Sequence, residues 1–345
     1  MRDQLKWGVI GTGGIAADFA EALTRSDRCR IVNVVGSSPE KGNAFATRFG
    51  IAASSATLEQ LLADDAVDAV YVATPHPMHE AQATVSLEAG KHVLCEKPLT
   101  IDAPGAVRVV DTARRSGVLL MEAFMYRCHP LMSDLLMRLR EGVIGTLRHV
   151  RADFAFRVGR DPKGRLFNRE LGGGGILDVG GYPVSFSRLL AGILEDEPFA
   201  EPVKVDATGV IGPTGVDELS TALLTFRSGF TAAVTAGVFH AAGTGAVIFG
   251  ERGRIELGDP WIPSSDRHAL DTGYTIWRDA NEPETVTIRT DRPTYALEAE
   301  WVADTLPETE PRWPAMTWAD SIGNMRVLDS WRAALLSSRL TPISR

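Results

Sequence analysis

The sequence predicts an α/β fold in two parts. A doubly wound parallel sheet covers residues 1–125, and an α+β domain with a large open, mainly antiparallel sheet covers 126–345. Three observations predict this. Short β-branched runs alternate with helical patterns up to residue 125, the rhythm of a parallel sheet with helices on both faces. A glycine-rich turn, Gly11-Thr12-Gly13-Gly14-Ile15-Ala16, separates the first strand from the first helix. After Tyr126 strands follow one another through turns such as Gly229 and Gly253, which implies antiparallel pairing.

In chain order, the strands of the first part are Leu5–Ile10, Ile31–Val35, Ala69–Ala73, His92–Cys95 and Val118–Met121. Helical patterns lie between them at Ala16–Thr24, Glu40–Phe49, Leu58–Leu62, Met78–Ala89 and Ala103–Arg115. Gly50, Gly90 and Gly117 stand where helix C-terminal caps belong. Ala81, Val85 and Ala89 recur at i, i+4, i+8 and predict one buried stripe. In the second part, helix Leu131–Glu141 closes at Gly142, and Thr146–Phe156 alternates as a long strand. A charged, Gly- and Pro-containing loop, residues 157–171, leads to four glycines and a helix ending near Leu190. Strands follow at Val203–Ile211, Ser220–Phe226, Thr231–Val238, Ala246–Phe249 and Arg254–Leu257. Residues 258–315 read as Pro-rich and irregular, and helix Trp318–Leu336 closes the domain.

Composition narrows the function classes. A formal net charge of −8 argues against nucleic acid or an anionic membrane as partner. No apolar run approaches the ~20 residues that span a bilayer. The first strand begins within a few residues of Met1, leaving no room for a signal peptide. Cys29, Cys95 and Cys128 lack metal or redox spacing, which suits a reducing, cytoplasmic setting.

The glycine turn carries the first functional expectation. Between a strand and a helix, a G-x-G-x-x-A string indicates dinucleotide binding in a Rossmann unit. Gly11 allows the tight turn, Gly13 admits a pyrophosphate, and Ala16 lets the helix sit close to the strand. The helix start at Gly14 and Ile15 offers free N–H groups to the phosphates. No acid ends the second strand. Ser37, Ser38 and Lys41 stand there instead, a set that suits a 2′-phosphate, so NADP is expected over NAD, with Glu40 the residue that weakens the case.

Two further motifs stand downstream. Glu96-Lys97-Pro98 ends a strand of the first sheet, where ligands of open α/β sheets bind. Asp178 and Tyr182 lie at i and i+4 on an otherwise apolar helix. They read either as a reacting pair or as a helix-start carboxylate and a core tyrosine. A phenol with pKa near ~10 needs a nearby cation to serve as a base at neutral pH, and Lys97 is the candidate. His76 and His79 have metal-like spacing without a matching cluster, so no metal is expected. The glycines at 172–175 suggest close backbone approach to the nicotinamide side of the cleft.

Taken in order, the Gly11–Ala16 turn, Ala73-Thr74-Pro75-His76-Pro77-Met78-His79, residues 89–98, Leu171–Tyr182 and the segment Ser321–Trp331 resemble the glucose–fructose oxidoreductase/inositol dehydrogenase (Gfo/Idh/MocA) family. The likeness runs nearly end to end and is greatest to its trans-dihydrodiol dehydrogenase and sugar-dehydrogenase branch. It implies hydride transfer between a nicotinamide cofactor and a secondary alcohol or carbonyl of a sugar, cyclic polyol or dihydrodiol. Tyr182 would be the acid/base, Lys97 its partner on the substrate oxygen, and Asp178 the residue orienting Lys97 or substrate. The Lys97–Pro98 bond would be cis. Ala73, Thr74, Pro75, His76, His79 and Glu96 would line the cofactor, His79 also as a structural histidine and Glu96 alternatively pairing with a surface cation. Arg127 would contact substrate or cofactor. Arg157, Arg165 and Asn168 would form a substrate wall. The open sheet would be covered by a second copy, as a homodimer or dimer of dimers. Competing functions are a non-catalytic NAD(P)-binding regulator and an NAD-assisted glycosidase of the same superfamily.

Overall fold

In the computed structural model, residues 4–264, 270–278 and 282–338 are described. The first half builds a sheet from β1 (Leu5–Ile10), β2 (Cys29–Val35), β3 (Ala53–Ser55), β4 (Ala69–Val72), β5 (His92–Glu96) and β6 (Leu120–Ala123). Its order is β3-β2-β1-β4-β5-β6, and all its ladders are parallel. Every residue of β4 and β6 is buried, as strands covered on both faces require. Its helices are α1 (Gly14–Leu23), α2 (Pro39–Phe49), α3 (Leu58–Leu62), α4 (His79–Glu88) and α5 (Ala103–Ser116). Local chemistry sets their ends. Ser38 and Asp102 cap α2 and α5, each followed by Pro in the first turn, and Gly50 and Gly117 close them at φ 66° and 65°.

The stripe expected on α4 lies on the wrong face. Val85 is 41% exposed, and the buried residues are His79, Ala83, Ser86 and Leu87. The helical period is right but displaced by two residues. Alanines fix a face weakly, whereas His79 is held between the carbonyls of Pro98 and Thr74, at 2.8 Å each.

The second half contains α6 (Pro130–Arg140), β7 (Leu147–Ala155), a π-helical turn (Ile176–Gly180) and α7 (Gly181–Glu195). Strands β8 (Pro202–Ile211), β9 (Asp217–Phe226), β10 (Thr231–Gly237), β11 (Gly243–Gly250) and β12 (Gly253–Leu257) follow. Then come β13 (Thr272–Arg278), β14 (Glu284–Ile288), α8 (Thr294–Thr305) and α9 (Trp318–Ser338). The sheet order is β14-β13-β12-β11-β7-β10-β9-β8, antiparallel except for the β7–β10 pair. The segment expected to be irregular thus supplies β13, β14 and α8, with 265–269 and 279–281 outside the described residues. Helices α7 and α9 cover one face of this sheet. The same α9 packs on α5, and α8 packs on α1, so the last helices clamp both sheets together. Among the described residues no helix is long and apolar enough to cross a membrane.

Candidate active site

A cleft of about 770 Å³ opens at the C-terminal ends of β1, β2 and β4. Gly11, Thr12 and Gly13 line it on one side, Ala73, Thr74 and Pro75 on another. Gly11 has φ +112°, and a Cβ there would come 2.6 Å from the Ala73 carbonyl oxygen, so only glycine suits this turn. Gly13 is exposed, and a Cβ there would meet no protein atom, leaving the cleft floor open to a ligand. No side chain caps α1, so its first amides, at Gly14 and Ile15, remain free for an anion. The residues present therefore fit a dinucleotide pyrophosphate.

At the adenosine side, Ser37 and Lys41 line the cleft, and Lys41 Nζ donates to Ser37 Oγ at 3.2 Å. Ser38 does not belong to it: its hydroxyl caps α2, accepting from the Lys41 amide at 3.4 Å. Glu40 is turned to that same serine, whose hydrogen bond holds its carboxyl below the usual range. Arg48, absent from the sequence expectations, also lines the cleft. Lys41, Phe45 and Arg48 follow an i, i+4, i+7 spacing along α2, so the sequence held the signal.

The reacting end assembles side chains from both halves. Lys97, at the end of β5, precedes a cis bond to Pro98. Its ammonium donates to the Asp178 carbonyl oxygen at 2.6 Å and lies 3.7 Å from Asp178 Oδ1. Arg165 NH1 donates to the same carboxylate at 2.7 Å. Burial alone would push the Asp178 carboxyl up, but Lys97 and Arg165 together hold it down at about 2. Asp178 lies in the π turn rather than an α-helix; there four residues fall just short of a full turn. Lys97 can therefore reach Asp178 and still stand over the Tyr182 ring, 5.3 Å from its centroid.

Tyr182 is buried among Phe124, Phe154, Tyr126 and Trp261, with ring centroids 5.1, 5.3, 5.9 and 6.2 Å away. Its hydroxyl donates weakly to Met125 Sδ at 3.5 Å. The expectation that Lys97 lowers this phenol's pKa is corrected. Burial drives it well above its ordinary value, and nearby Tyr295 and Glu96 push the same way. The ammonium faces the ring and is spent on Asp178. At rest Tyr182 keeps its proton.

Several expected contacts go elsewhere. Arg127 is fully buried and donates to the Pro314 carbonyl at 2.6 Å, the Ser185 carbonyl at 3.3 Å and Asp320 Oδ2 at 2.8 Å. It joins packed elements and has no surface open to the cleft. His79, with both ring nitrogens engaged, is structural. Glu96 is buried and pairs with neither a surface cation nor open solvent: it accepts from the Tyr71 hydroxyl at 2.5 Å, and burial raises its pKa. His76 is buried against the Gly172 carbonyl at 3.1 Å, and burial lowers its pKa to about 3. Asn168 accepts from the Glu170 amide at 2.9 Å, capping a short turn, and Arg157 lies over the Phe239 ring. The glycine run serves protein packing: a Cβ on Gly175 would press on Gly237 at 2.8 Å, and one on Gly173 on the Leu166 carbonyl at 2.7 Å.

Comparison with known proteins identifies the family. Residues 5–124 match the profile of the oxidoreductase family with an NAD-binding Rossmann fold. Residues 134–256 match the Gfo/Idh/MocA C-terminal domain. An uncharacterized oxidoreductase of Rhizobium meliloti is 32% identical over 95% of this chain and 96% of its own. Trans-1,2-dihydrobenzene-1,2-diol dehydrogenase of Mus musculus is 34% identical over 75% of this chain and 76% of its own. A crystal structure of a 3-ketoreductase from Actinomadura kijaniata, with NADP and TDP-benzene, superposes at a TM-score of 0.84. It is 29% identical and covers 96% of this chain and 98% of that one. On these matches in both halves, the chain belongs to the Gfo/Idh/MocA family of oxidoreductases with an NAD(P)-binding fold.

Proposed function

We propose that the protein is an NADP(H)-dependent dehydrogenase or reductase acting on a secondary alcohol or carbonyl of a sugar, cyclic polyol or dihydrodiol. The observation that carries this is the meeting of Lys97, from the first half, with Asp178 and Tyr182, from the second, at one largely buried point. Residues 1–125 form the cofactor unit and 126–345 the substrate unit. Bound in the cleft, the nicotinamide supplies or accepts the hydride. The residues manage the substrate oxygen. The Lys97 ammonium holds it and stabilises its negative charge, and the protonated Tyr182 hydroxyl gives it a proton. Asp178, ionised at neutral pH, fixes the ammonium in place, and Arg165 keeps that carboxylate oriented. This protonation state suits carbonyl reduction at rest.

NADP is favoured over NAD by Ser37, Lys41 and Arg48 on the cleft wall and by the absence of an acid there. The NADP in the ketoreductase crystal structure supports the same reading. We place the protein in the cytoplasm on its three buried, unpaired cysteines. The open face of the large sheet, with Leu223, Ala233, Arg151, Val247, Glu256 and Thr275 in one cross-strand row, is assigned to a second copy.

A screen of aldoses, inositols and cyclic diols, with their ketones, tests the function at the reduced-nicotinamide absorbance band. A net change with at least one substrate, larger with NADP(H), is expected. No change with any substrate, or product release without net change, would overturn the reading in favour of a regulator or a glycosidase respectively.

A further inference from the structure

Asp217, the first residue of β9, has no part in the chemistry above, yet it touches the turn on which that chemistry stands. Its Oδ2 accepts from the Ile176 amide at 2.6 Å. The Gly175 amide and its own amide also favour the ionised carboxyl. Gly174 has φ +114°, and a Cβ there would collide with Asp217 Oδ1, so the glycine is what lets the turn lie against this side chain. The amides at the start of a helical segment lack partners within it. Here no side chain of the turn itself caps them, and the acceptor comes from a strand 41 residues further along the chain.

Two residues after Ile176 stands Asp178, and Tyr182 follows on the next turn. We propose that Asp217 is a positioning residue, a carboxylate cap supplied by the large sheet that holds the π turn and thereby sets Asp178 and Tyr182 against Lys97. Its role in turnover rests on the function proposed above; its role in holding the turn does not.

The surroundings give the cap a pH dependence. Burial lifts the Asp217 carboxyl to about 7, opposed by the amides and by Arg332 of α9. Arg169, from the short turn before the glycines, and Arg332 line a cavity of about 140 Å³ beside it. The other charged groups close by are engaged. Glu218 pairs with Arg160 at 2.7 Å, and Asp178 with Lys97 and Arg165. A carboxylate accepts from several amides, whereas a carboxylic acid must spend one oxygen as a donor. The cap therefore strengthens as pH rises through neutrality.

The test compares wild type with Asp217→Ala and Asp217→Asn by hydrogen exchange of amides 174–182 and by the pH profile of turnover. Exchange should be roughly fivefold faster in Asp217→Ala, the fold-change of one lost cap. Turnover should fall about 10- to 100-fold through misplacement, with NADP(H) affinity unchanged. The wild-type limb near pH 7 should vanish in both variants, since neither carries a titrating group there. Asparagine, isosteric and keeping one acceptor oxygen, keeps the test open if alanine folds poorly, and should recover part of the protection. The buried Glu122 also titrates at about 7, and Glu122→Gln should keep the limb. Unaltered exchange at 174–182 would overturn the cap even if the enzyme proved to have another activity. A limb retained in both Asp217 variants would overturn the pH dependence.

Discussion

The cofactor cleft and the reacting cluster, the two ends of the candidate site, are built from different materials. The cofactor end is mostly backbone: Gly11, Thr12, Gly13 and the free amides of α1, contiguous in sequence and open over about 770 Å³. The reacting end is side chains, with Lys97 and Asp178 separated by 81 positions, half-buried and buried respectively, and their charges paired. Backbone recognition needs a conformation, which glycine supplies locally. Side-chain chemistry needs distant elements to be delivered to one place, and that depends on the whole fold. Damage should therefore separate cleanly: substitutions at the first end change cofactor affinity, and those at the second change turnover.

The largest effect expected is from Lys97→Ala. Turnover should fall on the order of 10²–10⁴-fold, because the substrate oxygen loses its cation. Fluorescence titration should still report near-normal NADP(H) binding. A comparable loss of cofactor affinity would erase the distinction between the ends.

Gly11→Ala should do the reverse. The positive φ and the Ala73 carbonyl resist a side chain, so the dissociation constants of both cofactors should rise about 10- to 100-fold, from ~1–3 kcal/mol of strain. Turnover at saturating cofactor should change little. Smaller still is Lys41→Ala combined with Arg48→Ala. Losing these charged contacts should weaken NADP binding about tenfold or somewhat more and leave NAD unchanged. Equal loss for both cofactors would remove the 2′-phosphate assignment.

The same contrast explains what could be read from the sequence. The Gly11–Ala16 turn was legible because its function is local. The meeting of Lys97 with Tyr182 was legible through resemblance, but the charge state of Tyr182 was not. That state depends on an aromatic enclosure from Phe124, Phe154 and Trp261, which no spacing encodes. Arg127 stands at a junction, and a junction arginine looks the same in sequence whether it faces a cleft or Asp320. Ser38 reads as a ligand contact, although a serine before proline is equally a helix cap. The prolines of segment 258–315 read as irregular structure, although Thr272–Arg278 does form a strand once paired with β12. Asp217 left no local signal at all.

Tyr182 is the proton donor in the proposed reaction, and Tyr182→Phe tests that role most directly. The substitution removes one oxygen and leaves the ring among its aromatic neighbours, so folding and NADP(H) affinity should match wild type. Single-turnover measurement of reduced-nicotinamide oxidation with a carbonyl substrate isolates the chemical step. A proton-donating Tyr182 predicts a fall of about 10²–10⁴-fold, with the Lys97→Ala, Tyr182→Phe double variant little worse than either alone. Retention of more than half the wild-type rate would contradict it and place proton delivery on another group.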